Sequence, residues 1–279
     1  GFDMDVWTTL PTQIKAAGLK GKAMLVPRAA IMDLQMRYAV SKASVAMLKE
    51  GKVFDRYERF ARNPKMFCHS MHWERHLIDD AAFEERMKGV TEGRRLELGY
   101  FGRFVERKGL ADALRILAEA KRRGVTARYT LTGWGPQKEA LERMVIDLGL
   151  QQDVVFADPV PYGDALHQRL RQTDLLLFTP TEEDTPRMLY DAFAAGVPGL
   201  ATRIPFMRYR ARSDRSLELF PVGDVSAGAA ALVALDRDRA RLRALAERAR
   251  AAGAYHTVER WYGRRLQWTL EALRARPAS

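Results

Sequence analysis

Residues 96–132 of the chain read LELGYFGRFVERKGLADALRILAEAKRRGVTARYTLT. The apolar run Leu96–Phe101 predicts a strand, the stretch Leu110–Arg123 predicts a helix, and the run Ala127–Thr132 predicts a second strand. Short apolar strands joined by a helix are typical of a parallel sheet with helices on both faces. These residues therefore predict an α/β fold.

The same alternation continues toward the C-terminus. The elements predicted next are, in the order helix, strand, helix, strand, helix, strand, Gln137–Leu148, Val154–Phe156, Gly163–Arg171, Leu175–Phe178, Arg187–Ala195 and Gly199–Ala201. From residue 96 to about residue 222 we therefore expect one doubly wound parallel sheet. Three helices rich in alanine, leucine and arginine are predicted after it, over Asp224–Leu235, Arg239–Ala252 and Val258–Arg276.

The first part of the chain is less periodic. Residues 1–95 contain helix candidates at Ala29–Tyr38 and Lys52–Arg62, but no sustained alternation of strand and helix patterns. We interpret residues 1–95 as a partial N-terminal α/β unit with a linker.

The composition excludes several classes of protein. Of the 279 residues, 47% are hydrophobic and 29% are charged, which is typical of a soluble globular chain and excludes a disordered or collagenous one. The longest apolar runs, such as Leu175–Phe178, are far shorter than the ~18 residues that a membrane span needs. The single cysteine, Cys68, cannot close an internal disulfide, so a reducing compartment, the cytoplasm, is the expected location.

The chain is basic. Its 46 Lys and Arg residues and 35 Asp and Glu residues give a net charge of +11, so its field attracts phosphorylated small molecules, anionic membranes or nucleic acid. Nucleic acid is the least expected partner, since the sequence lacks interleaved aromatic residues and a known binding motif. Peripheral membrane contact would involve the arginine-rich segment 237–250 or the terminal helix with Trp261 and Trp268. Those residues equally suit helix packing with solvated arginines.

The segment PTEEDTPRMLYDAFAAGVP, residues 180–198, follows a predicted strand and opens a predicted helix. The first turn of such a helix presents free backbone N–H groups where anions bind. Pro186 suits the first helical position, which would leave the amides of Arg187, Met188 and Leu189 for a phosphate or sugar oxygen. A structural alternative is that Glu183 or Asp184 simply caps the helix.

Two other strand ends carry glycines. The loop 99–109, GYFGRFVERKG, contains Arg103 and Lys108, which could clamp a diphosphate, although two cations in a basic protein are more often solvated surface. The loop Gly133-Trp134-Gly135-Pro136 again opens a helix with proline. Because Lys138 stands where a third glycine would be, a dinucleotide-binding fingerprint is poorly supported.

These three loops, in this order, resemble the donor-binding half of GT-B glycosyltransferases, in particular the retaining glycosyltransferase family 4. The family typically shows G-R-x-x-x-x-K-G, then G-x-G-P, then Glu, seven residues, and a second Glu followed by A-x-x-x-G-x-P. The matching residues here are Gly102 to Gly109, Gly133 to Pro136, and Glu183 to Asp191 with Ala192, Gly196 and Pro198. The resemblance covers about residues 96–224.

The resemblance implies a catalytic role for three side chains. Arg103 and Lys108 would hold the diphosphate of a nucleotide-sugar such as a UDP- or GDP-sugar and stabilise it as the leaving group, with no metal and no further cofactor. Glu183 would contact hydroxyls of the donor sugar. The activity implied is transfer of a sugar to an acceptor hydroxyl of a glycan, a lipid-linked molecule or a small molecule, with retention at the anomeric carbon.

It also implies donor-binding roles. Gly102 would lie in the donor site and Gly133 in the base pocket, and the amides of residues 187–189 would meet phosphate or sugar oxygens. Asp191 would accept hydrogen bonds from the ribose, but the family usually carries the longer Glu at this position. A binding module that holds a nucleotide-sugar without turnover is therefore the alternative function.

The resemblance further divides the chain. Residues 1–95 would be a partial acceptor-side domain, residues 96–255 a Rossmann-like nucleotide-sugar domain, and residues 256–279 a helix that crosses back to the N-terminal part. A cluster of Cys68, His69, His72 and His76 lies in the first part, but its spacing matches no standard zinc pattern. We expect no metal site there.

Overall fold

The computed structural model describes residues 19–275, which form parts of two compact units. Of the described residues, 19–69 and 259–275 belong to one unit, and residues 70–258 form the other. The first 18 residues of the predicted N-terminal unit, and Arg276 at the end of the last predicted helix, lie outside the described residues.

The helices and strands are numbered in chain order. The helices are α1 (Leu19–Lys42), α2 (Lys52–Tyr57), α3 (Asp80–Thr91), α4 (Leu110–Arg122), α5 (Lys138–Asp147), α6 (Asp164–Arg171), α7 (Met188–Ala194), α8 (Pro205–Asp214), α9 (Val225–Arg237), α10 (Arg239–Tyr255) and α11 (Val258–Arg274). The strands are β1 (Ala46–Lys49), β2 (Pro64–Phe67), β3 (Leu96–Arg103), β4 (Ala127–Trp134), β5 (Val154–Ala157), β6 (Leu175–Phe178), β7 (Gly199–Thr202) and β8 (Leu217–Phe220).

The larger unit is built on a six-stranded sheet in the order β5-β4-β3-β6-β7-β8, with every neighbouring pair parallel. All four residues of β6 are buried, as its unbroken apolar run requires of a strand covered on both faces. The chain runs outward from β3 to β5 and then returns to the other side of β3 with β6. The predicted α/β fold with a doubly wound parallel sheet is confirmed.

The smaller unit contains a two-stranded parallel sheet, in which Ala46 of β1 lies opposite Pro64 of β2. Its core holds Met36 and Val40 of α1 together with Leu48 and Tyr57. The Tyr57 hydroxyl donates a 2.7 Å hydrogen bond to Asp33, so the polar end of this buried side chain is satisfied. The helix predicted over residues 52–62 ends at Tyr57, and a 3₁₀ turn over Glu58–Phe60 follows it.

The division between the units differs from the boundary expected at residue 95. Residues 70–95 group with the large sheet. The reason is α3, which buries Phe83, Met87 and Val90. The guanidinium of Arg86, on the same helix, donates 2.8 Å bonds to the carbonyls of Ala195 and Gly196.

Two elements after β7 were absent from the expectations. Helix α8 and strand β8 lie after β7, and β8 extends the sheet at its edge. The sequence of α8 is PFMRYRARSD, whose arginines interrupt the apolar pattern that would reveal a helix. One of those arginines, Arg210, is only 1% exposed and lies 3.3 Å from Asp214.

The arginine-rich segment 237–250 is largely engaged within its own unit. Arg243 donates 2.8 Å and 2.9 Å hydrogen bonds to the Glu84 carboxylate, and Arg250 contacts Asp80, both on α3. These contacts favour the helix-packing interpretation of the segment over membrane contact. Over the described range, no helix combines the length and the apolar character that a membrane span requires.

Candidate functional site

The candidate site lies where the strand order of the large sheet reverses, between β3 and β6. In doubly wound sheets, ligands bind at this reversal, outside the carboxyl ends of the strands. The loops that follow β3, β4 and β6 leave the sheet at this edge, and they carry the three motifs singled out in the sequence.

The loops after β3 and β6 are joined by close backbone contacts. Gly109 has a φ of +65°, and a Cβ added to it would lie 1.9 Å from the carbonyl oxygen of Thr179. Only glycine therefore allows this approach. The Thr179 hydroxyl donates a 2.9 Å bond to the Gly109 carbonyl, and the Thr181 amide donates a 3.0 Å bond to Arg107.

Lys108 is brought next to the acidic segment before α7. Its ammonium group contacts the carboxylate of Asp184, and Arg107 donates a 3.2 Å hydrogen bond to the same carboxylate. The side chains of Lys108 and Asp184 are mostly buried. Lys108 therefore lies beside the residue that adjoins Glu183. Asp184 binds these cations and is not the N-cap residue of α7. That residue is Arg187, whose side chain makes no capping hydrogen bond.

Arg103 and Gly102 lie at the exposed end of β3, opposite Trp134 and Gly133 of β4. The guanidinium of Arg103 lies 5.2 Å from the centre of the Trp134 ring, a cation–π contact that leaves its N–H groups open to solvent or ligand. A Cβ on Gly133 would lie 1.9 Å from the Gly102 carbonyl oxygen, so glycine is required where the two loops separate.

The first turn of α7 offers fewer amides than expected. The amide of Leu189 donates a 3.1 Å bond to the Pro186 carbonyl, so it is engaged rather than available. The amides of Arg187 and Met188 have no hydrogen-bond partner within residues 19–275. Two of the three predicted amides could thus meet an oxygen of a ligand.

The far end of α7 is held by α3. Besides the two bonds from Arg86, the amide of Ile78 donates a 2.9 Å bond to the Ala194 carbonyl. These groups satisfy carbonyls that the helix itself leaves unpaired. Burial lowers the pKa of Arg86 to about 10, so its guanidinium stays charged and keeps this end of α7 fixed.

Asp191 lies on α7 and is only 2% exposed. Its Oδ1 accepts a 3.1 Å hydrogen bond from the Tyr162 hydroxyl and lies 3.8 Å from Nε2 of His167. Burial raises the pKa of the Asp191 carboxyl to about 7, and the Tyr162 bond and the charge of Arg187 only partly oppose the rise. The carboxyl is therefore poised to gain or lose a proton near neutrality.

His167 of α6 lies beside this pair. Its ring stacks on that of His76, with the centroids 4.1 Å apart, and meets the Tyr162 ring edge-on at 6.2 Å. Burial, with a contribution from His76, lowers the pKa of His167 to about 3, so the ring is neutral at physiological pH. The sequence analysis did not identify Tyr162 or His167. The position of Tyr162 could have indicated it, because the residue lies between β5 and α6, at the same carboxyl edge of the sheet.

The cluster of Cys68, His69, His72 and His76 noted in the sequence is divided between the two units. Cys68 donates to the carboxylate of Glu50 at 3.0 Å, and Nε2 of His72 lies 2.8 Å from the Gly253 carbonyl oxygen. In the part of the chain that the structure describes, no three His, Cys, Asp or Glu side chains are grouped so that they could hold a metal ion.

Comparison with known proteins identifies the family of this chain. Residues 95–238, just over half of the chain, match the family described as Glycosyl transferases group 1. Over 153 residues the chain is 28% identical to the lipopolysaccharide core biosynthesis glycosyltransferase LpsD of Rhizobium meliloti, covering 55% of this chain and 41% of LpsD. Over 117 residues it is 29% identical to the 2-deoxystreptamine glucosyltransferase of Streptomyces kanamyceticus, covering 41% of this chain and 30% of that enzyme. The chain thus spans less than half the length of these curated relatives.

The fold is found in solved structures. The crystal structure of Anabaena Alr3699/HepE in complex with UDP superposes with a TM-score of 0.68 at 17% identity, over 86% of this chain and 68% of that one. The sucrose-phosphate synthase of Thermosynechococcus elongatus superposes with a TM-score of 0.67, also at 17% identity, over 88% and 63%. The chain has the GT-B type of fold and belongs to the Glycosyl transferases group 1 family.

Proposed function

We propose that this chain carries the donor-binding part of a retaining glycosyltransferase of family 4, which transfers a sugar from a nucleotide-diphosphate sugar to an acceptor hydroxyl. The main support is the contact between Lys108 and Asp184 at the reversal of the strand order, since it brings the cationic loop after β3 to the acidic segment that contains Glu183.

The leaving group is a nucleoside diphosphate, on which negative charge develops as the bond to the sugar breaks. A lysine ammonium has three N–H donors, so Lys108 can keep its contact with Asp184 and still donate to phosphate oxygens. Asp184 limits the motion of the lysine and so orients the charge before the reaction. Together with Arg103, this cation would stabilise the transition state without a metal ion.

Further roles are proposed for the residue beside Asp184 and for the start of α7. Glu183 adjoins Asp184 and would bind hydroxyls of the donor sugar, and the amides of Arg187 and Met188 would meet phosphate or sugar oxygens. For the chemical step we propose attack on the same face, in which the departing phosphate helps to deprotonate the acceptor hydroxyl and the anomeric configuration is retained.

A comparison of two lysine variants tests the donor site. We expect Lys108→Ala to weaken UDP binding at least about tenfold, because a charge-assisted hydrogen bond to the diphosphate is lost. Lys121→Ala is the matched control, since Lys121 also contacts an aspartate, Asp153, but at the end of α4 and before β5, near the amino ends of the strands. Isothermal titration calorimetry with UDP, GDP and ADP measures both. Equal affinities of the two variants would contradict the site assignment.

Turnover is tested with the nucleotide-sugar that corresponds to the tightest nucleotide. We expect slow hydrolysis in which the first sugar released has the anomeric configuration of the donor, as read by proton NMR, with the same rate in EDTA. Glu183→Ala is expected to abolish it. Binding without hydrolysis or transfer would instead support the non-catalytic alternative, and inversion would contradict the retaining mechanism.

A further inference from the structure

The carboxylate of Asp191 is poorly placed to contact a ligand directly. Its carboxylate is one methylene nearer the backbone than the glutamate usual at this position, and the side chain is only 2% exposed. A ligand hydroxyl that approaches from solvent would find little of this carboxylate accessible. The group that connects Asp191 to the surface is Tyr162, which is 50% exposed and donates its hydroxyl proton to Oδ1 at 3.1 Å.

A phenol is both a donor and an acceptor. Because the proton of the Tyr162 hydroxyl points to Asp191, the lone pairs of the same oxygen face away from the carboxylate. Hydrogen bonds in a chain polarise one another, so donation to a carboxylate makes the phenol oxygen a better acceptor. It is therefore suited to accept a hydrogen bond from a hydroxyl donor such as a sugar.

The ring of Tyr162 is held in place. His167 meets it edge-on, with centroids 6.2 Å apart and planes at 75°, and His76 stacks on His167 with centroids 4.1 Å apart. His167 thus contacts both of the other rings. The phenol binds the Asp191 carboxylate, and the positive charge of Arg187 also acts on it.

We infer that Tyr162 is a ribose-recognition residue, whose hydroxyl accepts a hydrogen bond from a ribose hydroxyl of the bound nucleotide while Asp191 acts through it as a positioning residue. This role rests on the proposed function, because it requires a nucleotide at this sheet edge. It extends that function, since it makes the pair of tyrosine and aspartate the counterpart of a single longer acid.

The test compares nucleotides that differ only in the ribose. Calorimetry would measure the affinity for UDP, or for GDP if that binds more tightly, and for the 2′-deoxy and 3′-deoxy forms of the same diphosphate. Wild-type protein is expected to prefer the ribonucleotide over at least one deoxy form by about tenfold, the equivalent of one hydrogen bond. Tyr162→Phe is expected to lose this preference while its affinity for that deoxy form stays unchanged.

A second variant tests the relay itself. In Tyr162→Phe/Asp191→Glu, the longer carboxylate can reach toward the ribose directly, so we expect the preference for the ribonucleotide to return at least in part. Tyr262→Phe, which alters a 64% exposed tyrosine of the other unit, is the control and should leave every affinity unchanged. The melting temperature of Tyr162→Phe is expected to fall, because the buried carboxyl of Asp191 loses a hydrogen bond, while an unchanged affinity for the deoxy form shows that the site stays folded.

The outcomes separate the two proposals. If Tyr162→Phe keeps the wild-type preference, or binds the ribonucleotide more tightly, the role of Tyr162 is overturned, while the donor site stands. The same conclusion follows if wild-type protein binds the nucleotide but shows no preference for ribose. If wild-type protein binds none of UDP, GDP and ADP, the proposed function fails, and the role of Tyr162 falls with it.

Discussion

Asp174 shows how much a single buried charge contributes to the large unit. It is fully buried, and it accepts two 2.8 Å hydrogen bonds from Arg94 and a 2.9 Å bond from the Glu97 amide. We expect Arg94→Met to lower the free energy of unfolding by about 3 kcal/mol, because the carboxylate stays buried without its cation. Urea unfolding followed by circular dichroism measures the change.

The neighbouring arginine provides the control. Arg95 forms an ion pair with Glu97 at 3.2 Å, but both side chains are substantially exposed. We expect Arg95→Met to change the free energy of unfolding by less than about 1 kcal/mol. If the two variants lose the same stability, the burial of Asp174 does not govern the strength of its ion pair.

The sequence was least informative about contacts between individual side chains. It indicated Lys108, Glu183 and Asp191 as candidates, but the contact of Lys108 with Asp184 and that of Tyr162 with Asp191 join residues from separate loops. Side-chain direction at a loop depends on local φ and ψ angles that no periodic pattern reports. The partner of a buried charge therefore emerges only in three dimensions.

Gly109 is where one residue controls the packing of two connecting loops. We expect Gly109→Ala to cost about 3 kcal/mol of stability and to weaken UDP binding. The left-handed backbone alone disfavours alanine by about 1 kcal/mol, and the new Cβ would lie 1.9 Å from the Thr179 carbonyl oxygen, so the loops after β3 and β6 must separate. Chemical unfolding and calorimetry with UDP measure both effects.

A control variant at Gly149 separates the cost of the left-handed backbone from that of the contact between the loops. Its φ is +67°, nearly the same as at Gly109, but nothing lies within 4 Å of an added Cβ. We expect Gly149→Ala to cost only about 1 kcal/mol and to leave UDP binding unchanged. If the two variants behave alike, the contact between the loops does not hold the site together.

Elements with a regular apolar pattern were predictable and the others were not. The helix expected over residues 110–123 spans Leu110–Arg122, and the strand expected over residues 175–178 spans Leu175–Phe178. Helix α8 was not predicted because Arg210 occupies one of its buried positions, where an apolar residue would have completed the pattern. A buried arginine is stabilised by tertiary partners, which a local pattern does not include.

The arrangement of the whole large unit was predictable in outline. Parallel strands bring their carboxyl ends to one edge, so motifs that follow β3, β4 and β6 were expected to converge, and they lie at that edge. The assignment of residues 70–95 was not predictable, because it depends on which surface α3 covers. An amphipathic helix indicates only that one face is buried, and many surfaces of a protein can bury it.

The stability of the molecule should respond to pH through two buried groups with opposite signs. The folded-state pKa of Asp191 is raised to about 7, so between pH 3.8 and 7 the folded chain keeps a proton that the unfolded chain releases. Stability is thus lost as the pH rises through this range. The pKa of His167 is lowered to about 3, so between pH 6.5 and 3 the unfolded chain binds a proton that the folded chain does not. Stability is lost here as the pH falls.

Each contribution can be isolated by a variant that cannot titrate. We expect the free energy of unfolding of wild type, minus that of Asp191→Asn, to fall as the pH rises from about 4 to 7 and then to stay constant. Relative to His167→Phe, wild type should lose stability as the pH falls from about 6.5. For Asp191 the full change is at most on the order of 4 kcal/mol. Urea unfolding at closely spaced pH values measures these differences, and curves that stay parallel between pH 4 and 7 would contradict the environment assigned to the mutated group.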